Sequence, residues 1–256
     1  MQLASLYEFQ GKFREARDQC LTAVALCQEN DRSNDEAFFH YLLGELAGMS
    51  SQRGEYEREM TRSEQLCGSP FIELPLVGMS YARHGRLTDA RRVLEKILSL
   101  SGADPYVRKH QENYARLVRG EMMLQSGEAA RARDEFRGVQ RLHSGDPIYL
   151  LAQPELVRCE EIQGDTDVVN ACLHLLSRRG EAVMGFVRSI RSAGFWTRQL
   201  WPEVDLILGK YYLRQHDSTL AQQHLQQCLG CWSHADAGDT HAREAARIVA
   251  QLTKSR

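Results

Sequence analysis

The stretch GMSYARHGRLTDARRVLEKI, residues 78–97, constrains this chain more than any other feature. It reads as a helix, a tight turn at Gly85 and a second helix, each with an apolar face too narrow to close a core alone. A unit of this kind requires neighbours. Within it, Val77-Gly78, Tyr81, Gly85, Ala90, Leu94 and Ile97 place small and apolar groups on the facing sides of two antiparallel helices. Gly78 allows close approach, Gly85 supplies the backbone conformation that ends the first helix, and Ala90 is small where the backbones cross.

The same intervals recur along the chain. They give Leu208, Gly209, Tyr212, His216, Ala221, Leu225 and Cys228 near the C-terminus, and Gly120, Met123, Gly127, Ala132, Phe136 and Val139 in the middle. A weaker copy runs Val157, Gly164, Val169, Leu173 and Leu176, and the N-terminal copy is Ala4, Tyr7, Gly11, Ala16, Cys20 and Ala23. The segment GEYEREM after Leu43-Gly44 reads as a sixth copy with a displaced turn, counted from Gly54, which puts Glu59 where a small residue belongs.

This order of small, aromatic, glycine and alanine positions resembles the tetratricopeptide repeat family over nearly the whole chain. The turns at 11, 54, 85, 127, 164 and 216 lie farther apart than that family's usual spacing of about 34 residues, with one exception. Helices or loops longer than the consensus are expected, as in divergent bacterial arrays. The resemblance implies an all-α, right-handed superhelical solenoid of antiparallel helix pairs. We expect about 13 helices in a single domain over 1–256, with about six helix pairs, an insertion near 180–200 and a capping helix over about 239–253. Trp201-Pro202 reads as the start of a long helix, since proline is tolerated in a first turn. Measured back from Gly11, the first helix lacks its opening turn. The expectation is therefore a C-terminal part of a larger regulator, of the serine/threonine kinase or transcription factor kind.

Composition narrows the function classes. A net charge of −2 gives no global pull toward nucleic acid or an anionic membrane. No apolar run approaches the ~20 residues that span a bilayer, and MQLASLYEFQ has no signal-peptide pattern. Seven cysteines, spread through apolar helical positions, suit reduced thiols in a cytoplasmic protein. Glycine-rich phosphate loops, Gly-x-Ser-x-Gly elbows and His-Glu-x-x-His pairs are missing from the sequence, and no catalytic residue or cofactor is expected.

Three segments carry candidate chemistry. The resemblance places the first helix of each pair along a concave groove. The groove candidates are Met79 and Arg83; Tyr114, Leu117, Glu121 and Gln125; Arg158 and Glu161; Lys210 and Arg214. Their mixed character suits an extended protein or peptide partner. The asparagine and lysine set with which chaperone-binding relatives clamp a carboxylate is not reproduced. His224, Cys228, Cys231 and His234 are a possible zinc cluster, but an unbroken helix spreads them over about 15 Å, so binding requires a break near Gly230. Cys228 also falls on a core position. Finally, Arg178, Arg179, Arg188, Arg191 and Arg198 interleave with Phe186, Phe195, Trp196 and Trp201, a mixture that fits nucleic acid or an acidic peptide as well as simple packing. The expected work is non-catalytic recognition of a protein or peptide, with nucleic-acid or zinc binding as the alternatives.

Overall fold

The computed structural model describes residues 7, 10–50, 52–67, 73–99, 105–140, 147–163, 170, 172–173, 193–237 and 239–254. Among them are eleven helices and no strand. These are α1 (Phe13–Glu29), α2 (Ser33–Met49), α3 (Arg53–Leu66), α4 (Glu73–Arg83), α5 (Leu87–Leu98), α6 (Pro105–Gln125), α7 (Ala129–Arg137), α8 (Pro147–Gln163), α9 (Ala193–Arg214), α10 (Ser218–Cys231) and α11 (Thr240–Lys254). Thirteen were expected. No helix is long and apolar enough to cross a membrane among the described residues.

One turn is used repeatedly. The amide of Arg86 donates to the carbonyl of Tyr81 at 2.8 Å, closing the six-residue ring that ends a helix with a left-handed residue. The same bond joins Lys12 to Tyr7 at 2.8 Å, Gln52 to Ala47 at 2.9 Å, Glu128 to Met123 at 2.9 Å and Asp217 to Tyr212 at 2.9 Å. The left-handed position is Gly11 (φ 71°), Gly85 (φ 74°), Gly127 (φ 80°) and His216 (φ 60°). A helix reversed over three residues must run back along its predecessor, so each turn makes an antiparallel pair.

Small residues set how closely the pairs approach. A Cβ on Gly78 would meet Val118 Cγ2 at 2.9 Å and Val93 Cγ1 at 3.0 Å. On Gly44 it would meet Met60 Sδ at 2.6 Å, on Gly120 the Phe136 ring at 2.7 Å, and on Gly209 Leu225 Cγ at 2.6 Å. Ala90, Ala132 and Ala221 are wholly buried across from them. The core is thereby built in layers. Phe38, Leu42, Met60, Leu76 and Tyr81 belong to the first and largest body; Val157, Cys172, Val204 and Leu208 continue it; Leu206, Leu225, Cys228, Trp232 and Ile248 close it under α11.

His216 stands out beside the glycines, as does Asp31 (φ 52°) in the like turn after α1, where the Arg32 amide donates to the Cys27 carbonyl at 2.9 Å, because a side chain in the left-handed region costs roughly 1–2 kcal/mol. His216→Gly is expected to raise stability by about 1 kcal/mol, seen as a higher melting temperature in a thermal denaturation. An unchanged or lower melting temperature would show that the imidazole makes a compensating contact.

Several expectations need correction. Gly54 does not make the turn of the second copy; it lies in the first turn of α3, and the register runs from Gly44. Counted that way, buried Tyr56 takes the crossing position, and Glu59 instead lies beside it, pairing with His40 at 2.7 Å. In the fifth copy Leu173 faces out, at 47% exposure, while its neighbour Cys172 is buried against Val157. Pro202 does not start a helix: α9 begins at Ala193, taking in the last residues of the expected insertion, and carries Pro202 inside. Residues 180–192 lie outside the described residues, as do Gly164, Val169 and Leu176.

The ends of the described array meet. The Asp236 amide donates to the Gly11 carbonyl at 2.8 Å, and the Arg14 amide donates to Asp236 Oδ2 at 3.2 Å. A Cβ on Gly11 would lie 2.6 Å from Ala235 Cβ, so the contact is close-packed as well as polar. Helices α2, α4, α8 and α9, with α1 and α11, therefore line a cavity rather than an open-ended groove.

Candidate functional site

The cavity has a volume of about 1000 Å³ and is lined from α1, α2, α4, α8, α9, α11 and the connection before α11. Its inner wall is set by the repeat register. In the five copies after the first, the residue following the small position is Glu45, Met79, Glu121, Arg158 and Lys210; four of these five carry charge, and the fifth, Met79, is buried in the core. Helical spacing then adds Arg83 and Glu161 to the same face.

At the base of this wall lies a buried cluster of five charges. The Arg83 guanidinium donates to Glu155 at 3.0 Å, Glu121 at 3.4 Å and Glu45 at 3.5 Å. Arg158 donates to Glu121 at 3.1 Å and also pairs with Glu155, three residues earlier on α8. Glu45 further accepts from the Ser80 hydroxyl, which lies 3.0 Å from the Tyr56 hydroxyl. The carboxylates are almost fully shielded from solvent, with side-chain exposures of 3% for Glu45, 0% for Glu121 and 4% for Glu155.

Burial opposes ionisation throughout, and neighbours decide which group yields. For Arg83, burial is outweighed by Glu121, Glu155 and Glu45, and its pKa stands above the usual guanidinium value. For Glu121, burial is outweighed by Arg83 and Arg158, and its carboxyl is held below the usual range. Glu155 goes the other way: burial and the adjacent Glu121 raise it despite Arg158. Two carboxylates in one dry site cannot both ionise as freely as in water.

Higher on the wall, Lys210 lies 3.4 Å from Glu244 and 3.9 Å from Glu161. Glu203 faces His241 at 3.5 Å, and burial raises its pKa, with His241 and Arg158 partly offsetting. Apolar side chains of Val157, Val204, Ile207 and Trp232 complete this end.

The groove candidates are thus divided. Arg83, Arg158, Glu161 and Lys210 line the cavity, and Glu121 lies in the charged cluster beneath it. Met79, Tyr114 and Leu117 are buried at 2%, 4% and 0% exposure; they pack in the core and present no groove surface. Gln125 and Arg214 are exposed beyond the cavity lining, Gln125 donating to Glu121 at 3.2 Å. Sequence reasoning missed Glu45, Glu155, Glu203 and Glu244. Glu45 follows from the register once it is counted from Gly44; Glu203 and Glu244 depend on the closure of the ends and had no sequence signal.

The possible zinc ligands do not assemble. Helix α10 runs unbroken through Gly230 to Cys231. Cys228 is buried in the core, where burial pushes its thiol pKa up. His224 stacks on Tyr212 and meets Asp205 at 2.9 Å, and His234 is exposed. Among the described residues no group of three or more His, Cys, Asp or Glu side chains is placed to hold a metal. The arginine and aromatic segment over 178–192 lies outside the described residues, as do the side chains from Phe195 to Trp201.

Comparison with protein-family models, with curated proteins and with solved structures gave no match to this chain.

Proposed function

We propose that the chain is a divergent tetratricopeptide-like module that binds a protein or peptide segment in its central cavity, without catalysis. The observation that carries this reading is the cavity itself: about 1000 Å³, with charged and apolar groups from most of the first helices converging on it. That size is at the upper end for small-molecule pockets, and the mixture of charged and apolar lining suits a short peptide segment. The recurrence of one turn and one small-residue contact in successive pairs supports the repeat assignment. By analogy with arrays of this kind, the module senses or recruits for a larger regulatory protein.

Selection of phage-displayed random peptides on the immobilised protein tests this. Enriched peptides should bind saturably to the wild type and at least tenfold more weakly to Lys210→Glu, whose circular dichroism melt should be unchanged because the side chain is partly exposed. A failure to enrich any peptide, or binding indifferent to Lys210→Glu, would reject the cavity as a peptide site.

A further inference from the structure

The array closes at a narrow seam, and one residue makes its polar contacts. The Asp236 amide donates to the Gly11 carbonyl at 2.8 Å, its carboxylate accepts from the Arg14 amide at 3.2 Å, and the Arg14 guanidinium lies 3.9 Å away. Helix α1 thus receives its cap from a residue 222 positions along the chain, while Lys12, at its own cap position, makes no side-chain hydrogen bond. The Asp236 carbonyl accepts from the Asp239 amide at 2.9 Å, and Asp239 in turn caps α11 through the amides of His241 and Ala242 at 2.9 and 3.0 Å. One short turn therefore ties the start of α1 to the start of α11.

Behind the seam the two ends are anchored separately. Ala16, Cys20 and Val24 of α1 belong to the core body of α2, whereas Trp232, Ala245 and Ile248 belong to that of α10. Among the described residues, no side chain of α1 is part of the second body. Parting the seam would leave both bodies intact, and water would take up the freed groups; the Arg14 side chain is already 85% exposed. The cavity is lined from both sides of the seam, by Phe13 and Arg17 on α1 and by Trp232, His241 and Arg243 across it. A ligand that touches both sides binds the closed form better than the open one and so shifts the balance toward closure. We propose, building on the peptide-binding reading above, that the seam between Gly11–Arg14 and Ala235–Asp239 is a clasp that opens and closes as a unit, and that a peptide in the cavity holds it shut.

Hydrogen exchange of the whole chain, read by mass spectrometry at the segments holding Arg14 and Asp236, tests the opening without any ligand. Both segments should show one common protection factor, about tenfold or more below that of the buried stretch of α2. Asp236→Ala keeps the amide bond to Gly11 but removes the carboxylate. It should speed exchange at Arg14, on the far side of the seam, by about tenfold and raise the radius of gyration in small-angle scattering. Arg14→Glu, which sets a like charge against Asp236, should do the same, whereas Arg53→Glu, which breaks a comparably exposed ion pair on α3, should change neither. A phage-selected peptide at saturation should slow exchange on both sides of the seam and bind Asp236→Ala about tenfold more weakly than the wild type. Seam segments as protected as α2, or variants that speed exchange only in their own segment, would overturn the clasp and leave the peptide-binding reading standing. A bound peptide that leaves seam exchange unchanged would overturn the coupling of occupant to closure. Failure to select any peptide would overturn the peptide-binding reading and that coupling together, with the ligand-free exchange still deciding whether the seam opens.

Discussion

Arg83→Met is expected to destabilise the protein by about 3–5 kcal/mol near pH 7. Among the described residues, Arg83 is the one cation that touches Glu45, Glu121 and Glu155 together. Methionine fills a similar volume but leaves three shielded carboxylates with Arg158 alone. Urea denaturation followed by circular dichroism gives the number, and its pH dependence identifies the cause. Lowering the pH toward the carboxylate range should shrink the deficit, because the stranded groups can then take up protons. A deficit that stays constant with pH would mean that lost packing, not charge, is responsible.

The two glutamates of the cluster should behave oppositely. Glu121 is held low in the folded state, so its contribution is present above the ordinary carboxylate pKa and is lost as pH falls through its folded value. Glu155 is held high, so the folded state binds the extra proton, and stability falls as pH rises from the ordinary value through the raised one. Glu121→Gln should therefore destabilise near pH 7, whereas Glu155→Gln, resembling the protonated form, should cost little or stabilise there.

Ala90→Glu is expected to cost more than 4 kcal/mol, about the ceiling for single substitutions and enough to unfold a marginal domain. Ala90 is wholly buried where α5 crosses α4, so the carboxylate would have neither room nor a partner. Gly78→Val should cost less, about 1–3 kcal/mol, through overlap with Val118 and Val93. Gly85→Ala provides the internal contrast. Its Cβ would meet nothing within 4 Å, so only the left-handed backbone, φ 74°, opposes it, at about 1 kcal/mol. Thermal melts in the order Ala90→Glu, Gly78→Val, Gly85→Ala would confirm the register, and an Ala90→Glu melt close to wild type would discard it.

The helix pairs were legible because their determinants are local. Gly85 and Gly127 announce a left-handed turn wherever they occur in a helical pattern, and Ala90, Ala132 and Ala221 follow at a fixed distance. Legibility failed where two local signals competed. Gly54 looked like a turn glycine, but Ser51 rather than Gly54 stands seven residues after Gly44, in line with Gly85 after Gly78. Pro202 looked like a helix start, yet α9 tolerates it inside, with its side chain buried. Met79, Tyr114 and Leu117 looked like groove residues because a helix in an array buries more than one face, and the sequence alone does not say which apolar stripe faces the neighbour.

By itself, then, the sequence determined an all-helical chain, the repeated turn, and the small residues that let one helix approach the next, since each depends on backbone conformation and side-chain size within some twenty residues. Only the tertiary structure decided that Gly11 meets Asp236, that Arg83 answers three carboxylates from α2, α6 and α8, and that Glu203 is left facing His241. Those contacts join residues up to 225 positions apart. Whether a charge is solvated, paired or left over depends on the distance to every other charge, and that distance exists only once the helices have packed.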